Sequence, residues 1–537
     1  MGKVKYLLVD MSILPEIYAK VVEANGYLQS GEATSASQAA KMAGISRSAY
    51  YKYKDKIFEY NEQGDDVTAI NAKLIDNAGV LSSVMNELYL AGANILAVNQ
   101  GIPVNNIADV SITVRLSQTD VSTEDLISKI KNMKVAIMGY GTVGSGVAEV
   151  IETHKKSISN RTGGEVLEVA RILDLRDFKG DPHEALFTKD FNDILNDDEI
   201  KVVAETMGGV NPAFDFTMKL LESGKSVVTS NKELVAQKGL ELLQAAEKHG
   251  VNYLFEASVG GGIPIIRPMA QCLAANNIEG IAGILNGTTN FILTKMIEDG
   301  MTFEDALKLA QDNGFAEKDP TADIEGFDAC RKVCILASLA FGKHVYPNQV
   351  KAEGITKITL EDVSYISSAN GVIKLLGQIK KINDDKITAF VSPAVVFNGS
   401  QLASVNGVFN AILVRGDAVG DVCFYGQGAG KLPTASAVVA DMVDCAVHVE
   451  RRKNFGWGAG SEDYVADEKA VLEMPFYVRA KASENAVMSA FSDVKFLSRK
   501  GQPSDEVAFI TDSMTENQLV KKLEGIDVIN TIKVTNY

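Results

Sequence analysis

The sequence predicts an α/β protein: a parallel, doubly wound sheet, an α+β domain after it, and a small strand-helix module at each end. Three observations carry this. Strand and helix patterns alternate from residue 134 to about 257, the signature of a parallel sheet. The period changes on both sides of that stretch. The 537 residues, at about 150 per domain, leave room for three to four domains.

Composition narrows the class. Hydrophobic residues make up 46% and charged residues 23%, an ordinary globular balance that excludes disorder, collagen and a disulfide-stapled miniprotein. A net charge of -16 gives no general attraction to nucleic acid or anionic membrane, so neither partner is expected. No apolar run reaches the ~18 residues that span a bilayer. The opening MGKVKYLLVDMSILPEI lacks a signal-peptide pattern. Five Cys without a CxxC read as reduced thiols, and five scattered His form no zinc set. A cytoplasmic protein is expected.

Taken in order, residues 1–65 read as helical. TSASQAAKMAGISRSAYYKYKDKI has the form helix, turn at Gly44, helix with Ser46 as N-cap. Its Lys41, Arg47, Lys52, Lys54 and Lys56 suit a DNA-binding helix-turn-helix. The plainer reading is a hairpin packed on the sheet that follows. Residues 66–132 read β-α-β-β-α, a ferredoxin-like half-sandwich without its last strand, because the next run, MKVAIMG, opens the parallel sheet. Residues 133–264 form that sheet, with helices at 142–155, 212–223 and 232–249. Residues 265–432 mix long helices and strands. Residues 433–472 are a returning helix and a linker, and 473–537 are a second small strand-helix module.

The motifs place chemistry at strand ends. GYGTVG puts Gly139, Gly141 and Gly144 between a strand and a helix. There the glycines allow the tight turn, the approach of a pyrophosphate and close helix-strand packing, with the helix N-terminus facing the phosphates. Asp174, ending the next strand, can bind a ribose 2′-hydroxyl of NAD, and Arg176 can pair with the 2′-phosphate of NADP. Spacing alone does not choose. Lys232, at a strand-to-helix turn, suits a phosphate or a carbonyl, or plain solvent. Glu256 beside Gly260–Gly262 suits a hard cation or a hinge. Asp328 and Lys332 share a helix face, near Glu317, Asp319 and Asp323. Asn286 and Thr288 open another helix, either as polar site groups or as an ordinary N-cap cluster.

GYGTVGSGV, TSNKELVA, EASVGGGIPI, NGTTNFILTKM and GFAEKDPTADIEGFDACRK, in this order, resemble the homoserine dehydrogenase family over about 134–450. The resemblance implies a Rossmann-type domain joined to a substrate and dimerisation domain. It also implies NAD(P)H-dependent reduction of L-aspartate 4-semialdehyde to L-homoserine, in threonine, methionine and isoleucine biosynthesis. Lys332 then matches the proton donor and Lys232 a second active-site lysine that touches the cofactor. Glu317, Asp328, Asn286 and Thr288 match the substrate side. Gly139, Gly141, Thr142, Val143, Gly144, Thr206, Gly314 and Gly430 match the cofactor side, and Arg176 favours NADP while Asp174 keeps NAD open. Glu256, Val259, Gly261 and Ile263 match a monovalent cation site, with sodium expected.

Residues 1–131 resemble small ACT-domain proteins with a helix-turn-helix-like extension, and DNAG (Asp76–Gly79) falls at their ligand loop. Residues 474–537 resemble the terminal ACT domain of homoserine dehydrogenases, with a short first helix and no DxxG loop. These flanks imply an amino-acid effector, L-threonine in the first place, and a homo-oligomer, dimer or tetramer. A rival reading is an amino-acid-sensing regulator whose dehydrogenase part is inactive. The intact Lys232, Glu317, Asp328 and Lys332 set argues against it.

Overall fold

The computed structural model describes residues 9, 14–54, 56–57, 67–75, 80–90, 93–103, 107–115, 132–162, 166–448, 451, 455–535 and 537. The chain divides into two compact units, Met1–Ile130 and Lys131–Tyr537.

The first unit opens with three helices, Glu16–Gln29, Ala36–Met42 and Arg47–Tyr53. Small residues make their close packing possible: Ala24, Ala39, Ala40 and Ala43 are buried with Val21 and Tyr50. Then come β1 (Val67–Ile75), a helix (Val80–Leu90), β2 (Asn94–Gln100) and β3 (Ile107–Arg115). The antiparallel order is β1-β3-β2. Ala108, Val110, Ile112 and Val114 alternate along β3 and bury one face with Leu88 of the helix, as period-2 strand geometry requires. The DNAG loop and the second helix expected at 123–133 lie outside the described residues, apart from Asn132 and Met133, which are strand. MKVAIM forms a strand of the second unit.

The second unit starts with a six-stranded parallel sheet. Its strands are β4 (Asn132–Met138), β5 (Val166–Leu173), β6 (Phe187–Thr188), β7 (Ile200–Glu205), β8 (Ser226–Thr229) and β9 (Tyr253–Leu254). The order β6-β5-β4-β7-β8-β9 reverses at β4. Val135 to Met138 are completely buried, as a strand covered on both faces demands. The two-residue edge strand β6 was not foreseen, since so short a run carries no period. Helices Thr142–Thr153, Ala213–Glu222 and Lys232–His249 follow the expected segments closely.

A ten-stranded sheet forms the rest. It takes β10 (Ile278–Ile284), β11 (Lys351–Ala352), β12 (Gly371–Lys381), β13 (Ile387–Phe397), β14 (Phe409–Gly416) and β15 (Gly420–Gln427). To these it adds β16 (Phe476–Lys481), β17 (Val494–Leu497), β18 (Glu506–Thr511) and β19 (Asp527–Val534). The order is β15-β14-β10-β12-β13-β19-β16-β18-β17, with β11 also on β13. Helix Phe327–Phe341 packs against β12, β13 and helix Lys232–His249. Helix Lys431–Val447 returns to lie on Thr142–Thr153.

The C-terminal segment therefore reads β-α-β-β-α-β, yet it does not stand apart. β19 pairs in parallel with β13 through Ala394 opposite Lys533 and Val395 opposite Val534. Its open face is closed by helix Leu360–Ser368. There the fully buried Asp362 accepts hydrogen bonds from Tyr477 Oη (3.0 Å) and Asn530 Nδ2 (2.9 Å), and Arg479 Nε lies 3.1 Å away.

Candidate active site

Two stretches of chain meet around the nucleotide loop. β4 ends at Met138, and Gly139 turns the chain with φ +90°. A Cβ at Gly139 would sit 2.9 Å from Met207 Cα, and one at Gly144 would overlap the Gly139 carbonyl oxygen. Nothing lies within 4 Å of a Cβ built on Gly141, so the middle of the loop is open where a pyrophosphate would approach. Gly141 caps the helix, and Thr142 and Val143 begin it. Thr206, just beyond β7, donates from Oγ1 to the carbonyls of Met138 (3.0 Å) and Gly139 (2.7 Å).

Just past β5, Asp174 and Arg176 pair with each other. Asp174 accepts from Tyr140 N (2.8 Å), from Arg176 N and Nε (3.0 Å each) and from Arg176 Nη2 (2.8 Å). Its carboxyl is held well below the usual carboxylate range, first by the Arg176 side chain and then, against the cost of burial, by the two backbone N–H groups. Arg176 also donates to the Tyr140 carbonyl (3.0 Å) and lies over the Phe178 ring. Asp174 and Arg176 thus hold each other, Asp174 as the inner partner and Arg176, its side chain 61% exposed, as the outer one.

The second cluster is built on Asp328, in the first turn of helix Phe327–Phe341. Lys232 Nζ lies 2.5 Å from Asp328 Oδ1, and Lys332 Nζ donates to Oδ2 at 2.8 Å. Lys332 also donates to the Leu285 carbonyl (2.7 Å). Asn286 caps an earlier helix, Gly287–Asp299, and donates from Nδ2 to Asp328 (3.0 Å) and Asp323 (2.7 Å). Asp328 is buried, which alone would raise its pKa, but the two ammonium groups outweigh that and hold it below the ordinary value. Burial pushes Lys332 down from the usual lysine value, with Asp328 opposing. Lys232 is raised: burial works against it, and Asp328 prevails. Asp323 is raised, first by burial and then by the neighbouring Asp328 charge.

Not all the expected residues join this cluster. Glu317 is exposed, and its backbone carbonyl accepts from Gln311 Nε2 (3.2 Å). Thr288 spends its hydroxyl on the Phe315 carbonyl (2.6 Å), tying its helix to the 313–320 loop. Gly314 turns that loop with φ +72°. Asp323, by contrast, belongs to the cluster. Its partner Asn286 lies 37 residues earlier, a distance that local spacing cannot span.

The Glu256 turn is organised from its neighbours. Glu256 accepts from the backbone N–H groups of Ile265 (2.7 Å), Ile266 (2.8 Å) and Arg267 (2.9 Å). Asp441 of the returning helix accepts from Glu256 N (2.9 Å) and pairs with Arg267. The Glu256 carboxylate is therefore not free for a cation. What the 256–263 turn offers is main-chain carbonyl oxygen, the ligand type a hard monovalent ion takes. Val259 and Ile263 are buried, and Gly261 has φ +56° and meets Gly428 so closely that a Cβ would overlap its carbonyl. Gly430, φ +126°, opens the returning helix. On that helix Lys431 pairs with Glu149 of the nucleotide-loop helix at 2.7 Å. Among the described residues no group of three or more His, Cys, Asp or Glu is placed to hold a metal.

Gly139 and Lys232 both lie just past the C-terminal ends of strands of one parallel sheet, Gly139 after β4 at the reversal of strand order and Lys232 after β8, on the sheet edge where such sheets bind ligands. A pyrophosphate cradle there, in one unit with two lysines bridged by a buried carboxylate, defines a nicotinamide-dependent oxidoreductase. The known proteins it resembles make this specific. The family pattern described as "Homoserine dehydrogenase, NAD binding domain" matches residues 139–256, and that described as "Homoserine dehydrogenase" matches 264–443. The homoserine dehydrogenase of Bacillus subtilis is 37% identical over 438 residues, which is 76% of this chain and 98% of the relative. The crystal structure of a homoserine dehydrogenase from Thiobacillus denitrificans superimposes with a TM-score of 0.67 at 35% identity, covering 75% of this chain and 98% of that one. A hyperthermophilic archaeal homoserine dehydrogenase mutant in complex with NADPH superimposes with a TM-score of 0.50 at 28% identity, covering 58% and 97%. The chain belongs to the homoserine dehydrogenase family and is an NAD(P)-dependent oxidoreductase acting on L-homoserine and L-aspartate 4-semialdehyde.

Among the described residues no helix is long and apolar enough to cross a membrane.

Proposed function

We propose that Lys332 is the proton donor for aldehyde reduction, that Asp328 sets it in place, and that NADP is the preferred cofactor. The bridging of Lys232 and Lys332 by one buried carboxylate is the observation that carries the reading. When bound, the reduced nicotinamide supplies the hydride. As negative charge builds on the aldehyde oxygen, a desolvated ammonium stabilises it and releases a proton to it. An ammonium has three donors, and Lys332 uses two, on Leu285 and Asp328. Lys232 adds a second positive charge beside it. Asp328 keeps both lysines charged and aimed, so it orients the site and leaves the substrate's amino group to the carboxylates of Asp323 and Glu317, with Asn286 holding Asp323 in place. Thr288 acts by fixing the loop that carries Glu317 and Gly314.

The outward guanidinium of Arg176 supports NADP, and the archaeal relative's NADPH is consistent with that. The Gly139–Gly144 loop, Thr206 and Gly430 would hold the nucleotide. Backbone carbonyls of Glu256, Val259, Gly261 and Ile263 would hold a monovalent cation such as sodium. The enzyme would act in the cytoplasm as a homo-oligomer under control by an amino acid. Oxidation of L-homoserine with NADP and NAD in parallel tests the cofactor reading: a lower KM for NADP supports it, and equal or lower values for NAD overturn it.

A further inference from the structure

The first three helices are an independent feature. Ala36–Met42 ends at a four-residue turn in which Gly44 has φ +70°, and Ser46 caps Arg47–Tyr53 by accepting from Ala49 N (3.1 Å). Ala39 and Ala40 of the first helix of this pair, Ala43 of the turn and Tyr50 of the second are buried against Val21 and Ala24 of Glu16–Gln29. Tyr50 Oη donates to Asn25 Oδ1 (2.7 Å), fixing the last helix on the first. A short helix, a glycine turn and a second helix locked over a third is the helix-turn-helix arrangement. The helices carry an apolar core of their own. Among the described residues, the apolar cluster of these helices shares no member with that of β1–β3.

The outward face decides the partner. Arg47, Ser48, Tyr51 and Lys52 of the last helix are all exposed, and their spacing puts them on one side of it. From residue 33 to 57 the sequence holds five basic residues against one acidic, Asp55. Of the large apolar and aromatic side chains there, only Met42 and Tyr51 are exposed, too little for a protein groove. Arginine, serine and lysine reach the base edges and phosphates of a major groove. The acidity of the whole chain is screened beyond about 8 Å at physiological salt, so it does not cancel a local basic face.

We propose that residues 34–57 bind double-stranded DNA, with helix Arg47–Tyr53 in the major groove. The test uses the full-length protein and a fluorescent duplex of about 30 base pairs, followed by anisotropy between about 50 and 200 mM salt. Wild type should bind with an affinity that falls steeply with salt. The double variant R47A/K52A should bind at least about tenfold more weakly at low salt, with the log-log salt slope reduced by about two. Homoserine oxidation should be unchanged in that variant, which confirms that it is folded. Selection from randomised duplexes should enrich a motif with wild type, and Arg47→Ala should relax it at one position. Equal binding by wild type and the double variant, equal binding of single-stranded DNA, or no enriched motif would each overturn the proposal.

Discussion

Lys332 is a charge in a place where charges are expensive. Burial favours its neutral form, and Asp328 restores the ammonium only in part, so it can give up a proton more readily than an ordinary lysine. Replacing it by alanine should lower turnover by about 10²–10⁴-fold and leave NADP binding nearly intact, since the glycine loop is built from other residues. Steady-state kinetics and a nucleotide titration check both halves. The sign of the pH dependence follows. With Lys332 as the proposed proton donor, reduction needs it protonated and falls as pH rises through the lysine's pKa, below the ordinary 10.5. Oxidation of homoserine needs the neutral amine and rises through the same region. In Asp328→Asn the group that raises Lys332 is gone, and the alkaline limb should move to lower pH; an unmoved limb would assign it to another group. Arg176→Ala should weaken NADP more than NAD, because only the 2′-phosphate loses a charge-assisted partner. Most of these residues were legible because they sit in short motifs at strand ends. The pairing of Asp323 with Asn286 and the saturation of Asp174 and Asp328 were not, because a sequence shows which charges are near one another along the chain but not which are already paired.

At the scale of elements, single residues decide whether two pieces of backbone can meet. The nucleotide loop survives only if Gly144 has no side chain, because a Cβ there would run into the Gly139 carbonyl, and a carbonyl cannot rotate away without breaking the strand-to-helix turn. Gly144→Ala should therefore abolish NADP binding while the ten-stranded sheet stays folded, as nucleotide titration together with far-ultraviolet circular dichroism would show. This position could be read from the sequence, since a glycine pattern between an apolar strand and a helix has a local cause. The joint at Asp362 could not. Asp362 looks like an ordinary residue of a helical capping box, and it does cap Thr359. Its burial against Tyr477, Arg479 and Asn530 comes from a segment more than a hundred residues away. Removing one partner of a buried charge pair costs about 3–5 kcal/mol, so Asp362→Ala should lower the urea midpoint substantially. Tyr477→Phe, which deletes one hydrogen bond, should cost only about 1 kcal/mol. If the two variants unfold together, the contact between helix Leu360–Ser368 and the C-terminal strands is not what holds that end of the sheet.

For the whole molecule the question is which end would carry the proposed control by an amino acid. The C-terminal segment is a small strand-helix module by its periodicity, and in the structure β19 joins it to β13 while Asp362 closes the other face. A module built into the substrate sheet has little freedom to rearrange by itself. The first unit is different. Its described sheet has three strands, with β1 and β2 as outer strands, and outer strands are normally paired or covered. Pairing of these sheets between subunits would complete them and create a seam where an amino acid can bind. An effector there can change activity only if it binds the active and inhibited states with different affinity, and by linkage the substrate must then shift the effector's affinity by the same factor. The two units divide at Ile130 and Lys131, and the nucleotide sheet begins with its own strand at Asn132. A chain starting at residue 131 should therefore fold, oxidise homoserine at a near-normal rate, and lose most of its inhibition by L-threonine or another amino acid effective on the full-length enzyme. Dose-response curves on both chains, at substrate concentrations near KM, separate the outcomes. If the shortened enzyme is active and equally inhibited, the first unit is not the sensor, and the C-terminal strands acting through β19 and β13 take its place.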